Sequence, residues 1–148
     1  MNLLRRLALS LVVFALVTML SACGGKAVTL AELPIPPEAR PLESGSNPLA
    51  DQIASSLLEA YGDIGSSSEV AVYALPATTS WEQLKSFYIE QLAGSDWRNE
   101  PELDRESETL SMIAWGRGSF ASEQALSVAF VPPILGGDPL LLLALVSE

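Results

Sequence analysis

Histidine is missing from the 148-residue sequence, and cysteine occurs once, at Cys23. The first absence removes the commonest general base, the commonest metal ligand and the side chain that most readily titrates near neutral pH. The second rules out an internal disulfide. Ser-His-Asp and Cys-His catalysis, and zinc sites built from Cys and His, are excluded by inventory. Cations are scarce as well: 8 Lys and Arg stand against 18 Asp and Glu, for a formal charge of −10. An acidic chain is repelled by phosphate backbones and anionic head groups. Neither nucleic-acid binding nor electrostatic adhesion to a membrane is expected. No catalytic residue, metal ligand or cofactor is assigned.

Apolar residues are plentiful, at 49% of the chain, enough for a core and too many for a disordered polymer. Part of this content lies at the N-terminus. Arg5 and Arg6 precede Leu7–Leu20, which is apolar apart from Ser10 and Thr18. As a helix that run spans ~21 Å, short of the ~30 Å hydrocarbon core of a bilayer. The length suits a secretory signal better than a permanent span. An uncleaved signal anchor or a buried core helix is the competing reading.

Small residues then lead into the lone thiol, as Leu20-Ser21-Ala22-Cys23-Gly24. This stretch resembles the lipobox of bacterial lipoproteins. The resemblance implies a diacylglyceryl group on the Cys23 sulfur, cleavage just before it and acylation, palmitate included, of the new amine. Residues 1–22 are then a signal peptide, and Cys23 is the lipid attachment site. The protein is expected on the extracytoplasmic face of a cell membrane, held there through the lipid. Each buried methylene contributes ~0.8 kcal/mol, so two or three acyl chains anchor stably where one does not. An unmodified cysteine is the bland alternative.

Residues 23–47 are expected to be a lipidated tether. Gly24 and Gly25 are flexible, while Pro34, Pro36, Pro37 and Pro41 favour extended geometry, as a spacer or an edge strand. A single domain is expected over residues 48–148. Asn47 and Pro48 open a helix whose stripe is Leu49, Ile53, Leu57 and Tyr61, and Gly62 stops it. Residues 69–75 read as a strand. Ser80 and Gln83 have capping-box spacing before the stripe Trp81, Leu84, Tyr88 and Leu92, which Gly94 ends. The acidic stretch from Glu100 to Glu108 reads as a solvated, hairpin-like loop. Residues 109–115 and 124–131 read as paired strands joined through Gly116-Arg117-Gly118-Ser119. Leu126, Val128 and Phe130 share one face of the second strand, and Ala125, Ser127 and Ala129 the other. The apolar run 139–146 fits a central strand buried on both faces, with a short helix as the competitor.

The expected fold is α+β, a small antiparallel sheet of about four strands packed against two helices. Val72-Tyr73, Trp81, Phe87-Tyr88, Leu92 and Trp97, followed by Ala114-Trp115-Gly116, are similar to a pattern in small uncharacterised bacterial lipoproteins. Those carry a Phe-Tyr pair in a helix and a Gly-Trp after it, with Asp96 here at the glycine position. The resemblance spans residues 70–118, implies a shared fold and carries no activity. Two function classes follow. One is a membrane-tethered binding or interaction module, acting through Trp97, Trp115 and Arg117 on an envelope protein or polymer. The alternative is a carboxylate-dependent envelope hydrolase, such as a glycosidase using two acids between Glu100 and Glu108.

Overall fold

Residues Leu140–Ser147 form a strand with no polar side chain before Ser147, so neither face of it can meet water cheaply. The chain meets that demand by placing this strand between two others. A computed structural model describes residues 26–62, 65, 67–119, 122–134 and 137–148. Residues 1–25, where the signal peptide and the lipidated Cys23 are expected, lie outside the described residues. In chain order the strands are β1 (Arg40–Pro41), β2 (Ser67–Ala74), β3 (Arg98–Asn99), β4 (Arg105–Glu106), β5 (Ser111–Ser119), β6 (Ser122–Val131) and β7 (Leu140–Ser147). Helix α1 (Pro48–Gly62) precedes β2, and α2 (Trp81–Leu92) follows it. All pairings are antiparallel, in the order β1-β2-β7-β6-β5-β3, with β4 also on β5. The architecture is therefore α+β.

Alternation in the strands sorts side chains onto two faces. Ile113, Trp115, Leu126, Val128, Phe130, Leu141 and Leu143 point to one face, beneath Leu84, Tyr88 and Leu92 of α2. Burial of each large side chain there stabilises the fold by ~1.5–3 kcal/mol. Ala129, Val131, Leu140 and Leu142 point the other way, against Ala50, Ile53 and Leu57 of α1. Both helices start as their caps dictate. Ser80 Oγ accepts from the Gln83 amide, and Gln83 Oε1 accepts from the Ser80 amide at 2.9 Å. Asn47 Oδ1 accepts from the amides of Leu49 and Ala50, each at 3.1 Å. Gly94, at φ +72°, lets the chain turn away after α2.

Three sequence-based expectations are corrected. The sheet has seven strands rather than about four. The additional ones, β1, β3 and β4, are two residues long and lie along the edges, too short to show an alternating pattern. Residues 28–42 are not a free tether, and of the spacer and edge-strand readings the edge strand holds at Arg40–Pro41. Leu33 is buried, and Val28, Leu30, Ile35 and Ala39 pack against the α2-side core. Beyond them Arg40–Pro41 pair with Tyr73 and Ala74. Among the described residues, packing onto the core thus extends back to Val28, because the apolar residues before and among the prolines find a surface to cover. Finally, Gly116–Ser119 belong to β5 rather than to a loop, and the reversal falls between Ser119 and Ser122.

Candidate functional site

Burial along β6 divides the sheet into a covered and an uncovered part. Gln124, Leu126, Val128 and Phe130 are all buried on the α2 side. On the α1 side Ala129 and Val131 are buried, Ser127 is half-buried and Ala125 is exposed. A mid-sheet strand flanked on both sides thus shows solvent one stretch of one face. The cause is the placement of α1, which lies mainly over β2 and β7 and meets β6 at its two ends. Its last turn carries Tyr61, whose hydroxyl hydrogen-bonds Ser127 Oγ at 3.1 Å.

The opposite wall comes from the connection between β3 and β4. Those two strands take separate stretches of the β5 edge, and residues 100–104 bridge them as a single 3-10 turn. Ala114 holds this bridge. Its carbonyl accepts from the Glu100 amide at 2.9 Å and from Asn99 Nδ2 at 3.0 Å, and its amide donates to Asp104 Oδ1 at 3.3 Å. Leu103 is 47% exposed beside the groove.

Between these walls lies a groove of about 480 Å³, within the range of small-molecule sites. Its floor consists of Ala114, Gly116, Ala125, Ser127 and Val146. Such small side chains on a sheet leave room that larger ones would fill. Tyr61 stands at one side, Leu103 and Arg105 at the other, and Glu100, Glu123 and Glu148 also line it. The lining is mainly apolar.

Of the residues singled out from sequence, Trp115 and Glu100 border the groove and the others fall elsewhere. Trp115 does so through its backbone strand, but its side chain is 3% exposed and packs on Tyr88 at 6.1 Å between ring centroids. It is a core residue, not part of an exposed surface. Trp97 and Arg117 do come together: the guanidinium lies 5.4 Å from the indole centroid, with Asp96 Oδ2 3.4 Å from Arg117 Nη2. This cluster sits on the α2 side and its arginine is largely covered, which makes it a packing contact at the sheet end. Among the acidic residues 100–108, Glu100 reaches the groove. Asp104 is bound to Ala114, and Glu106 accepts from Trp81 Nε1 and Lys85 Nζ, both at 3.0 Å. The Trp81 hydrogen bond and then the Lys85 ammonium hold the Glu106 carboxyl below the usual range. The groove residues themselves carried one signal, the row of small side chains on β6.

Among the described residues no group of three or more acidic, histidine or cysteine side chains is arranged to hold a metal, and no helix is long and apolar enough to cross a membrane. No protein-family model matches the chain. No curated protein matches it either, nor does any solved structure.

Proposed function

We propose that the protein is an extracytoplasmic lipoprotein, anchored by lipid on Cys23 after removal of residues 1–22, whose domain binds an envelope component in the groove beside Tyr61. The observation that carries the binding reading is the bare stretch of β6 at Ala125 and Ser127, floored by small residues and walled on both sides. A sheet face left open in mid-sheet costs apolar burial, and a ligand recovers it. The anchoring reading rests on the Leu20-Ser21-Ala22-Cys23 pattern behind a short apolar run.

The two readings meet at Val28. Its amide donates to Gln124 Oε1, and its carbonyl accepts from Gln124 Nε2, both at 2.8 Å. Cys23 precedes that clamp by five residues, a reach of at most ~18 Å for extended chain. A lipidated Cys23 therefore holds the domain against the bilayer rather than on a long spacer.

Two measurements test this. In a lipoprotein-processing bacterial host, the N-terminal peptide of the mature protein should begin at Cys23 and carry acyl mass. A Cys23→Ala chain should remain unprocessed or leave the membrane fraction; one that is cleaved and stays bound refutes the anchor. For the groove, compounds that raise the melting temperature of the wild-type chain should lose that effect in Ala125→Trp, where the exposed alanine is replaced by a side chain that fills the floor. Equal effects on both proteins would place the ligand elsewhere.

A further inference from the structure

The groove is apolar along its floor and negative at its border. Glu100, Glu123 and Glu148 line it, and none of their carboxylates has a hydrogen-bond or ion-pair partner among the described residues. Glu100 lies directly over Gly116, where an added Cβ would stand 3.0 Å from its Oε1. Glycine at 116 is what lets that carboxylate rest on the floor. Glu123 and Glu148 come from neighbouring chain segments, joined by the Glu148 amide donating to the Glu123 carbonyl at 3.0 Å. The one basic residue in the lining, Arg105, is committed elsewhere: its Nη1 donates to the carbonyls of Glu102 and Asp104 at 3.0 and 2.7 Å.

We infer that the groove binds a small cationic amphiphile, its apolar body on Ala114, Ala125, Ser127 and Val146 and its ammonium group among Glu100, Glu123 and Glu148. This rests on the reading of the groove as a ligand site and adds the charge of the ligand. The attraction comes from like charges around an apolar floor, Glu100 half-buried on it and Glu123 and Glu148 exposed at its rim, where salt screens them. The same charges repel an anionic amphiphile of equal size. Selectivity between partners is what such complementarity supplies most effectively.

Three probes with one apolar body separate the terms: protonated 4-phenylbutylamine, neutral 4-phenylbutanol and anionic 4-phenylbutyrate. Binding is followed by ligand-observed NMR on the full chain in phosphatidylcholine nanodiscs, with empty nanodiscs as the background. The amine is expected to bind about tenfold or more tighter than the carboxylate, the alcohol falling between them. Glu100→Gln combined with Glu123→Gln should remove most of that preference. Ala125→Trp should abolish binding of all three. Equal affinities that are all lost in Ala125→Trp would overturn the cationic assignment while leaving the groove as the site. Binding of none of the probes, or binding untouched by Ala125→Trp, would overturn both. Thermal unfolding of each variant confirms that the comparison is between folded proteins.

Discussion

Tyr88 offers a sharp test of the core, because its hydroxyl is buried without a partner. It heads the fully buried side chains in size, with 0% exposure, wedged against Phe87 at 5.2 Å and Trp115 at 6.1 Å between ring centroids. Its Oη has no hydrogen-bond partner among the described residues. An unpaired buried donor costs ~1–3 kcal/mol. Tyr88→Phe removes that cost and leaves a void of about one oxygen, ~15 Å³, worth ~0.4 kcal/mol at ~24 cal/mol per Å³. The variant should therefore be more stable by ~1–2 kcal/mol. For a urea slope of ~2 kcal/mol/M the midpoint rises by roughly 0.5–1 M. The gain should also depend on pH. Burial pushes the phenol of folded Tyr88 well above its ordinary 10.0. The unfolded chain begins to release this proton above pH 10, while the folded chain keeps it. The wild type therefore loses up to ~1.4 kcal/mol per pH unit in that window, a loss the variant is spared. Equilibrium unfolding of both proteins from pH 7 to 11 decides the matter. A Tyr88→Phe variant less stable than wild type, or a gap that stays constant past pH 10, would show that the Tyr88 hydroxyl is not stranded in the folded protein.

Gln124→Leu should strand the Val28 amide and carbonyl, costing ~1–3 kcal/mol, and hydrogen exchange at the Val28 amide should accelerate well before the core opens. Unchanged exchange there would show that the clamp does not hold the segment. Glu38 sits at φ 67° in the turn closed by the Ala39 amide on the Pro36 carbonyl. Glu38→Gly relieves ~1–2 kcal/mol of left-handed strain against ~0.5–1 kcal/mol of added chain entropy, so the melting temperature should rise by a degree or more. A fall would count against it. For Glu106, the folded carboxyl titrates below its usual range. Its stabilising contribution is thus present above the ordinary glutamate value and fades as pH drops through the lowered one. Glu106→Gln should melt below wild type at pH 7 by a deficit that shrinks on acidification, and a deficit that grew instead would contradict the pairing.

Much of the fold was legible because its signals are local. The Ser80 and Gln83 cap, the stop at Gly94 and the two-faced apolar run ending at Val146 each specify structure within a few residues. The edges were not legible. Arg40–Pro41, Arg98–Asn99 and Arg105–Glu106 are strands only because β2 and β5 present backbone groups to them. Proline spacing likewise describes an extended backbone without saying whether it lies free or on a core. Leu33 and Ile35, apolar residues on either side of Pro34, are the clue that it lies on one. Trp115 could have been placed from its own strand, since Ile113 shares its face two residues away and a tryptophan there is inward with it.

The groove shows where local reading stops. Ala125, Ser127 and Ala129 were visible as a row of small side chains, but small residues on a sheet face serve two opposite ends. They admit a closely packed helix, or they leave space beneath nothing. Here one strand does both. Ala129 receives Ala50 of α1, where two alanines let helix and sheet approach. Four residues earlier Ala125 is exposed, with the Tyr61 hydroxyl on Ser127 as the contact α1 makes toward this part of β6. A Cβ on Gly65 would stand 2.6 Å from Val146 Cγ1 and 2.8 Å from the Ser147 carbonyl oxygen, so the chain leaving α1 is pressed onto the β7 end. Tyr61 at the end of α1 stands on one side, bonded to Ser127, and the 100–104 bridge, held by Ala114, stands on the far side. The open floor is the interval between two contacts made by other parts of the chain. No pattern in β6 alone encodes that interval, although its small residues are what make it deep enough to hold a ligand.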